Sequence, residues 1–322
     1  MHPFAYHNAN SVADAVRHLG DAGAAPLGGG TDLLVLIEEG LATPTALVDL
    51  RRLPGARGVT TESDGAVRIG AATRVNDLAQ HAMIRERFPV LAQACEVVGT
   101  PALRNMGTIG GNLCQRPRCW YFRRAVRCHK NGGDSCPAVA GENQYLAILG
   151  GGPCYIVHGS DPAVALTALE ARVEVTGPGG SRWVNMADLY VLPRQRMEHE
   201  TMLQSHEFLT AIALPPEAGG GVQRYHKLMQ RGAWDFALVS LAAVKRRDGE
   251  VRLVLGGVAP RPWRVTSSVE EDVSTGGLDA DAVETLAERA LIDAKPLSKN
   301  GYKVELAASL LRQAMTELGE EG

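Results

Sequence analysis

Apolar residues recur along this chain at two periods, and the switches between them divide it. Val12, Val16 and Leu19 share one helical face, Ser11 stands at the start of that face as a cap, and Gly20 and Gly23 close it. A short apolar piece, AAPL, then enters Gly28-Gly29-Gly30, and Thr31-Asp32 opens a second helix through Leu33, Leu34 and Ile37. ALVDL, at 46–50, has the unbroken apolar character of a buried strand. This β–loop–α–β run predicts a small α/β lobe over residues 1–57.

A second unit follows over 58–217. AVRIGAAT (66–73) alternates like a strand, and 75–84 and 88–98 read as helices, the latter stopped by Thr100-Pro101. YLAILGG and CYIVHG predict short strands around the glycine turn at 150–152. Asp161-Pro162 opens a helix through AVALTALEA, with proline in its first turn, and RVEVTG is a strand closed by Pro178-Gly179-Gly180. PPEAGGG (215–221) has linker composition. Beyond it, over 218–322, two long strands joined at Arg247-Asp248-Gly249 precede helices at 280–293 and 301–318. The pattern predicts an α+β chain whose last unit is an antiparallel sheet with helices.

Composition narrows the function. The 322 residues are 45% hydrophobic and 21% charged with a net charge of −3, so nothing global points to nucleic acid. No apolar stretch approaches the ~20 residues of a membrane span. The first residues lack a basic region followed by an apolar run, so no signal peptide is expected. Glycine is abundant at 36 residues, which suits backbone brought close to a ligand. Six cysteines in a chain of intracellular character favour metal or redox chemistry over disulfides.

Two glycine loops carry the candidate chemistry. Gly28-Gly29-Gly30-Thr31-Asp32 leads into a helix, where successive N–H groups and the positive helix end make an anion site. Leu33 stands where G-x-G-x-x-G needs its third glycine, and no Gly-Lys-Ser/Thr follows, so neither a Rossmann nor a Walker loop is present. Gly107-Thr108-Ile109-Gly110-Gly111-Asn112 is a second loop of the same kind. Each alone fits a plain tight turn. Together they suit a long phosphate-bearing ligand such as a dinucleotide.

PLGGGTDLL, TIGGN and SDPAVALTAL resemble, in order and spacing, the FAD-binding subunit of the molybdenum hydroxylases, the xanthine dehydrogenase and aldehyde oxidoreductase family. That resemblance implies a two-lobed FAD-binding domain of the PCMH (vanillyl-alcohol-oxidase-like) type. A C-terminal domain like that of carbon monoxide dehydrogenase flavoproteins would follow it. Carried over by motif, Leu27, Gly28, Gly29, Gly30, Thr31, Asp32 and Leu33 would hold the FAD pyrophosphate and ribityl chain with Thr108, Gly110, Gly111 and Asn112. Ile109 would lie against the flavin ring. Asp161 would contact adenosine or ribityl hydroxyls, and Lys227 would stand near the flavin, where a cation favours the reduced, anionic form. Without the family, Asp161 reads as a helix cap and Lys227 as a strand-edge lysine.

Asn112 and Asp161 are 49 residues apart. The family pattern brings these motifs much closer, so an insertion of roughly forty residues lies at about 113–155, long for a loop. It holds Cys114, Cys119, Cys128 and Cys136, spaced C-x4-C-x8-C-x7-C. The insertion resembles one that binds a [4Fe–4S] cluster in aldehyde oxidoreductases and 4-hydroxybenzoyl-CoA reductases, and four thiolates suit that cluster. Structural zinc also takes four cysteines, but its ribbons use tighter C-x2–4-C pairs. Cys95 reads as core, Cys154 as packing. Arg116, Arg118, Arg123, Arg124, Arg127 and Lys130 form a local basic patch that either offsets the cluster's charge or steers an acidic electron carrier.

The resemblance implies an oxidoreductase subunit with no catalytic residue of its own. Partners would be a molybdenum-cofactor large subunit, a [2Fe–2S] small subunit, and an outside acceptor such as ferredoxin, a quinone or oxygen. The location would be cytoplasmic, or periplasmic by co-export with a twin-arginine-signal partner. Two rivals share parts of the pattern. A self-contained flavin oxidoreductase would need acid–base groups over the flavin, for which Tyr225, His226 and Trp234 are the candidates. A zinc-stapled binding module would treat the glycine loops as mere turns.

Overall fold

The unbroken apolar runs near the N-terminus become parallel strands: β1 (Ala5–Asn8), β2 (Ala24–Leu27) and β3 (Ala46–Asp49), in the order β1-β3-β2. All four residues of β3 are buried, as a central strand requires. The computed structural model, which describes residues 2–320, places α1 (Val12–Leu19) and α2 (Leu33–Glu38) in the connections. Ser11 caps α1, its Oγ accepting from the Asp14 N–H at 3.1 Å.

A second, antiparallel sheet contains β4 (Val59–Thr61), β5 (Val67–Gly70), β6 (Arg172–Gly177), β7 (Gly180–Asn185) and β8 (Phe208–Leu214). Its order is β4-β5-β8-β6-β7. The long excursion between β5 and β6 carries α3 (Val75–Gln80), α4 (Ala82–Arg87), α5 (Pro89–Glu96), α6 (Pro101–Met106), α7 (Ile109–Leu113), α8 (Trp120–Arg123) and α9 (Asp161–Ala168). Every residue of α9 is buried, which marks it as an internal helix.

The third sheet is antiparallel, in the order β12-β11-β10-β9: β9 (Val222–Leu228), β10 (Val239–Lys245), β11 (Val251–Gly256) and β12 (Trp263–Arg264). Helices α10 (Ser267–Thr275), α11 (Ala280–Ala290) and α12 (Tyr302–Glu320) follow it. The strand period of two splits β10 between two cores. Leu241 and Ala243 pack with α11 and α12, while Ala242 and Val244 pack with α5 and α9. The sheet is therefore buried on both faces, which joins the C-terminal helices to the rest of the chain.

Several expectations are corrected. Residues 145–151 and 154–159 form no strands, because glycines 150–152 and Pro153 break the ladder. Single bonds remain, such as Ala147 N–H to Tyr155 O at 2.9 Å. The helix expected over 75–84 breaks at His81, whose extended backbone starts α4 as a separate piece. Thr100-Pro101 does not merely end a helix. Thr100 caps α6, which begins at Pro101. The segment at 215–221 is no loose linker: Gln223 Nε2 donates to Ala218 O and Gly220 O, and Gly220 N–H donates to Arg87 O at 2.8 Å. Strands β1, β4, β7, β8 and β12 and helices α6, α7, α8 and α10 were not foreseen, and β9 only as the strand-edge reading of Lys227. No helix among the described residues is long and apolar enough to cross a membrane.

Candidate functional site

The two glycine segments interlock. A Cβ on Gly28 would stand 2.5 Å from Thr108 Oγ1, and one on Gly29 would stand 2.0 Å from the carbonyl oxygen of Met106. Only glycine permits that approach. The two segments spend their amides differently. Thr108 caps α7, taking the Gly111 N–H at 3.2 Å, while Ile109 and Gly110 donate to Thr73 O and Ala71 O, both at 2.8 Å. Those amides are consumed internally, so the second segment is a helical turn that braces the first. Among the described residues, the N–H groups of Gly28 through Asp32 have no acceptor in the chain. Such a run of unmatched donors is an anion cradle.

Two cavities flank this interlock. One, of about 340 Å³, is lined by Gly28, Ala71, Thr108 and Gly110. The other, of about 400 Å³, is lined by Thr31, Asp32, Gly111, Asn112, Asp161 and Phe236. Asn112 and the Ser160-Asp161 pair meet across 48 residues, Ser160 Oγ donating to Asn112 Oδ1 at 2.6 Å. Asp161 is buried, accepting from Tyr225 OH at 2.7 Å and from Lys227 Nζ at 2.9 Å, and Lys227 also donates to Val97 O. Burial pushes the Asp161 carboxyl up, against the pull of Lys227 and Tyr225. Leu27 and Ile109 are buried and Leu33 is half-buried, so these three shape the cradle through packing.

Asp32 faces residues 116–123. It accepts from Arg116 N–H and Arg123 Nη2, each at 2.8 Å, and pairs with Arg118 at 2.9 Å. Arg116 and Lys130 pair with buried Glu200 at 2.7 and 2.6 Å. The basic run is thus mostly turned inward, leaving Arg124 and Arg127 exposed. Cys119, Cys128 and Cys136 line one small cleft, and the fourth cysteine there is Cys154. Cys114, the first of the expected quartet, lies apart at the 340 Å³ cavity, where the end of α7 packs it against the main core. Burial pushes the thiols of Cys114 and Cys154 up to about 12 and that of Cys119 up as well. Cys95 is core. Among the described residues no group of three or more His, Cys, Asp or Glu side chains is arranged to hold a single metal ion.

A family profile described as the FAD binding domain in molybdopterin dehydrogenase matches residues 2–217, and a carbon monoxide dehydrogenase flavoprotein C-terminal domain profile matches 224–318. The chain belongs to the FAD-binding medium subunits of the molybdenum hydroxylases. It is 36% identical over 322 residues to the aldehyde oxidoreductase FAD-binding subunit PaoB of Escherichia coli, covering 98% of each chain. It is 29% identical to the carbon monoxide dehydrogenase medium chain of Hydrogenophaga pseudoflava, covering 97% of this chain and 96% of that one. Among solved structures, a Cu,Mo-CO dehydrogenase in its cyanide-inactivated form matches with a TM-score of 0.76 at 27% identity over 100% of both chains.

For a molybdenum hydroxylase flavoprotein the residues present fit FAD. The unmatched amides of Gly28–Asp32 suit a pyrophosphate, and the cavities on either side give a long ligand room. Tyr225, Phe236 and Cys154 belong to the constellation without having been assigned to it. For Tyr225 the signal was available: on a strand, residues 225 and 227 share a face and 226 does not. His226 accordingly points away, meeting Glu317 at 2.9 Å.

Proposed function

We propose that this chain is the electron-transfer flavoprotein of a three-subunit molybdenum hydroxylase acting on aldehydes. Electrons would arrive from [2Fe–2S] clusters on a small subunit, after substrate oxidation on a molybdenum-bearing large subunit, and leave to an outside acceptor. Residues 1–57 and 58–217 form the two flavin-binding lobes, with the insertion at about 113–155, and 218–322 the C-terminal domain. The row of unmatched amides at Gly28–Asp32 beside the buried Asp161–Lys227 pair carries this reading. FAD, when bound, supplies one- and two-electron chemistry. The amides bind its phosphates, Ile109 and Leu33 support the site from behind through packing, and Lys227 supplies a cation that favours a reduced, negatively charged flavin.

The insertion holds a [4Fe–4S] cluster on Cys119, Cys128, Cys136 and Cys154. Four cysteines lining one cleft, with His129 beside them, support this. The test is an absorbance spectrum of anaerobically purified protein, with flavin, iron, acid-labile sulfide and zinc assayed on one sample. About one FAD and about four irons and four sulfides per chain are expected. Zinc without sulfide would remove the cluster and keep the flavoprotein, and a colourless full complex would remove both. Cys154→Ser should lose the iron, and Cys114→Ser should keep it.

A further inference from the structure

A third cavity, of about 430 Å³, lies between the insertion and the loop joining β9 to β10. Its volume falls in the range of about 300–1,000 Å³ typical of small-molecule sites. It shares Arg118, Arg123, Asp235 and Phe236 with the cavity at Asp161, so the two adjoin. Cys119 lies on its wall. Its aromatic surface comprises Phe236 and the Trp120–Tyr145 pair, whose ring centroids are 5.5 Å apart and planes 35° apart. Tyr145 OH donates to Gln230 Oε1 at 2.6 Å, and the Tyr145 carbonyl is held from behind by the buried Lys303 ammonium at 3.2 Å. The ring therefore stands on a fixed backbone.

The charge is lopsided. Arg118, Arg123, Arg124 and Arg231 line the cavity. Asp32 takes Arg118 and Arg123 together, and Asp235 stands 3.5 Å from Arg231. Four guanidinium groups face two carboxylates, so about two positive charges are uncompensated. The Arg124 side chain is exposed and has no ion-pair partner among the described residues.

We infer that this cavity binds the outside electron acceptor, and that the acceptor is a planar quinone bearing an anionic substituent. The aromatic side chains offer a face for a conjugated ring, the Gln230 side-chain amide N–H, held in place by Tyr145 OH, offers a hydrogen bond to a carbonyl oxygen, and Arg124 offers a charge partner for the substituent. The inference rests on the flavoprotein reading above. The quinone gains two electrons and two protons to become the hydroquinone: the anionic reduced flavin gives up two electrons and one proton as it is oxidised, and the second proton comes from solvent.

The test uses the intact, flavin-loaded complex, oxidised and anaerobic. Binding of 1,4-naphthoquinone-2-sulfonate is measured by equilibrium dialysis, with neutral 1,4-naphthoquinone and NAD⁺ as comparisons. Arg124→Glu should weaken the sulfonate about tenfold, or about 1.4 kcal/mol, and the neutral quinone less than about twofold. Tyr145→Ala should weaken both. Sulfonate binding unchanged in both variants overturns the inference, as does NAD⁺ binding there while the sulfonate does not. The flavin spectrum of the same samples separates the two failures. Missing flavin refutes the flavoprotein reading, whereas normal flavin with unchanged binding refutes only the quinone site.

Discussion

Gly29 has room for a hydrogen and nothing more. A Cβ there would overlap the backbone carbonyl of Met106, and neither partner is a side chain that can swing aside. Gly29→Ala should therefore cost about 1–3 kcal/mol and prise the two glycine segments apart. Thermal unfolding, together with flavin retained after gel filtration, should both fall. Gly179→Ala, where nothing lies within 4 Å, should stay within about 0.5 kcal/mol of the parent. The Asp161–Lys227 pair makes the same point with charge. Lys227→Met leaves a buried carboxylate without its cation and should cost about 3–5 kcal/mol in urea unfolding, while adding Asp161→Asn to it should recover part of that loss. A double variant no more stable than the single one would show that the charge is not what matters. At this scale the glycine positions were legible in the sequence, because a triple glycine before a helix has few uses. The use of the second segment's amides on residues 71–73 was not, since that depends on a turn more than thirty residues earlier in the chain.

Elements are held by buried carboxylates at their ends. Asp49, at the close of β3, accepts from Arg51 through both its side chain and its backbone, and from Tyr6 OH on β1. Burial alone would raise its carboxyl, but these donors hold it down to about 2. Its folded pKa is below the ordinary value, so its contribution is present above about pH 4 and lost as pH falls toward 2. After allowance for screening at the partly exposed Arg51, that is about 1–2 kcal/mol. The stability gap between the parent and Asp49→Asn should accordingly be full at pH 6 and nearly closed at pH 2. Glu200 does for residues 116–131 what Asp49 does for the first sheet. Glu200→Gln leaves the side chains of Arg116 and Lys130 without their carboxylate, so amide exchange over 116–131 should accelerate about tenfold or more while the global midpoint moves only a few degrees. Uniform acceleration across the chain would show the clasp to be part of the main core instead. Elements with a strong period, such as α1, β3, β10 and β11, were readable from pattern. Residues 145–159 looked like strands because their apolar side chains are buried, yet burial there comes from packing beneath β11 and α12 rather than from a ladder. The structure does not gather the expected quartet for a related reason: Cys114 follows α7 at the 340 Å³ cavity, while Cys119 opens α8 at the cleft with Cys128 and Cys136.

The molecule as a whole depends on α9 being shared. Its side chains pack on α5 and on β10 and β11, so the flavin-binding unit and the C-terminal sheet bury one helix between them. Gly256 permits this, for a Cβ there would stand 2.6 Å from Val164 Cγ2. The same helix begins at Asp161, and β9 supplies Tyr225 and Lys227 to it, so the site is assembled across the join and not within one unit. Composition at 215–221 suggested a flexible join. Instead Gly221 packs so close to β10 that a Cβ would lie 2.1 Å from Lys245 O, and Gln223 is fully buried. Two halves on a loose tether would be cut at 215–221 by a broad-specificity protease and would melt in two steps. A shared internal helix predicts the opposite: resistance to cleavage there under native conditions, and one calorimetric transition in which the calorimetric and van't Hoff enthalpies agree. Gly256→Val should lower that single midpoint and release flavin together, because displacing α9 moves Asp161 with it. A second transition in the parent protein, or cleavage at 215–221 that leaves the flavin bound, would show that the halves fold and hold the cofactor separately.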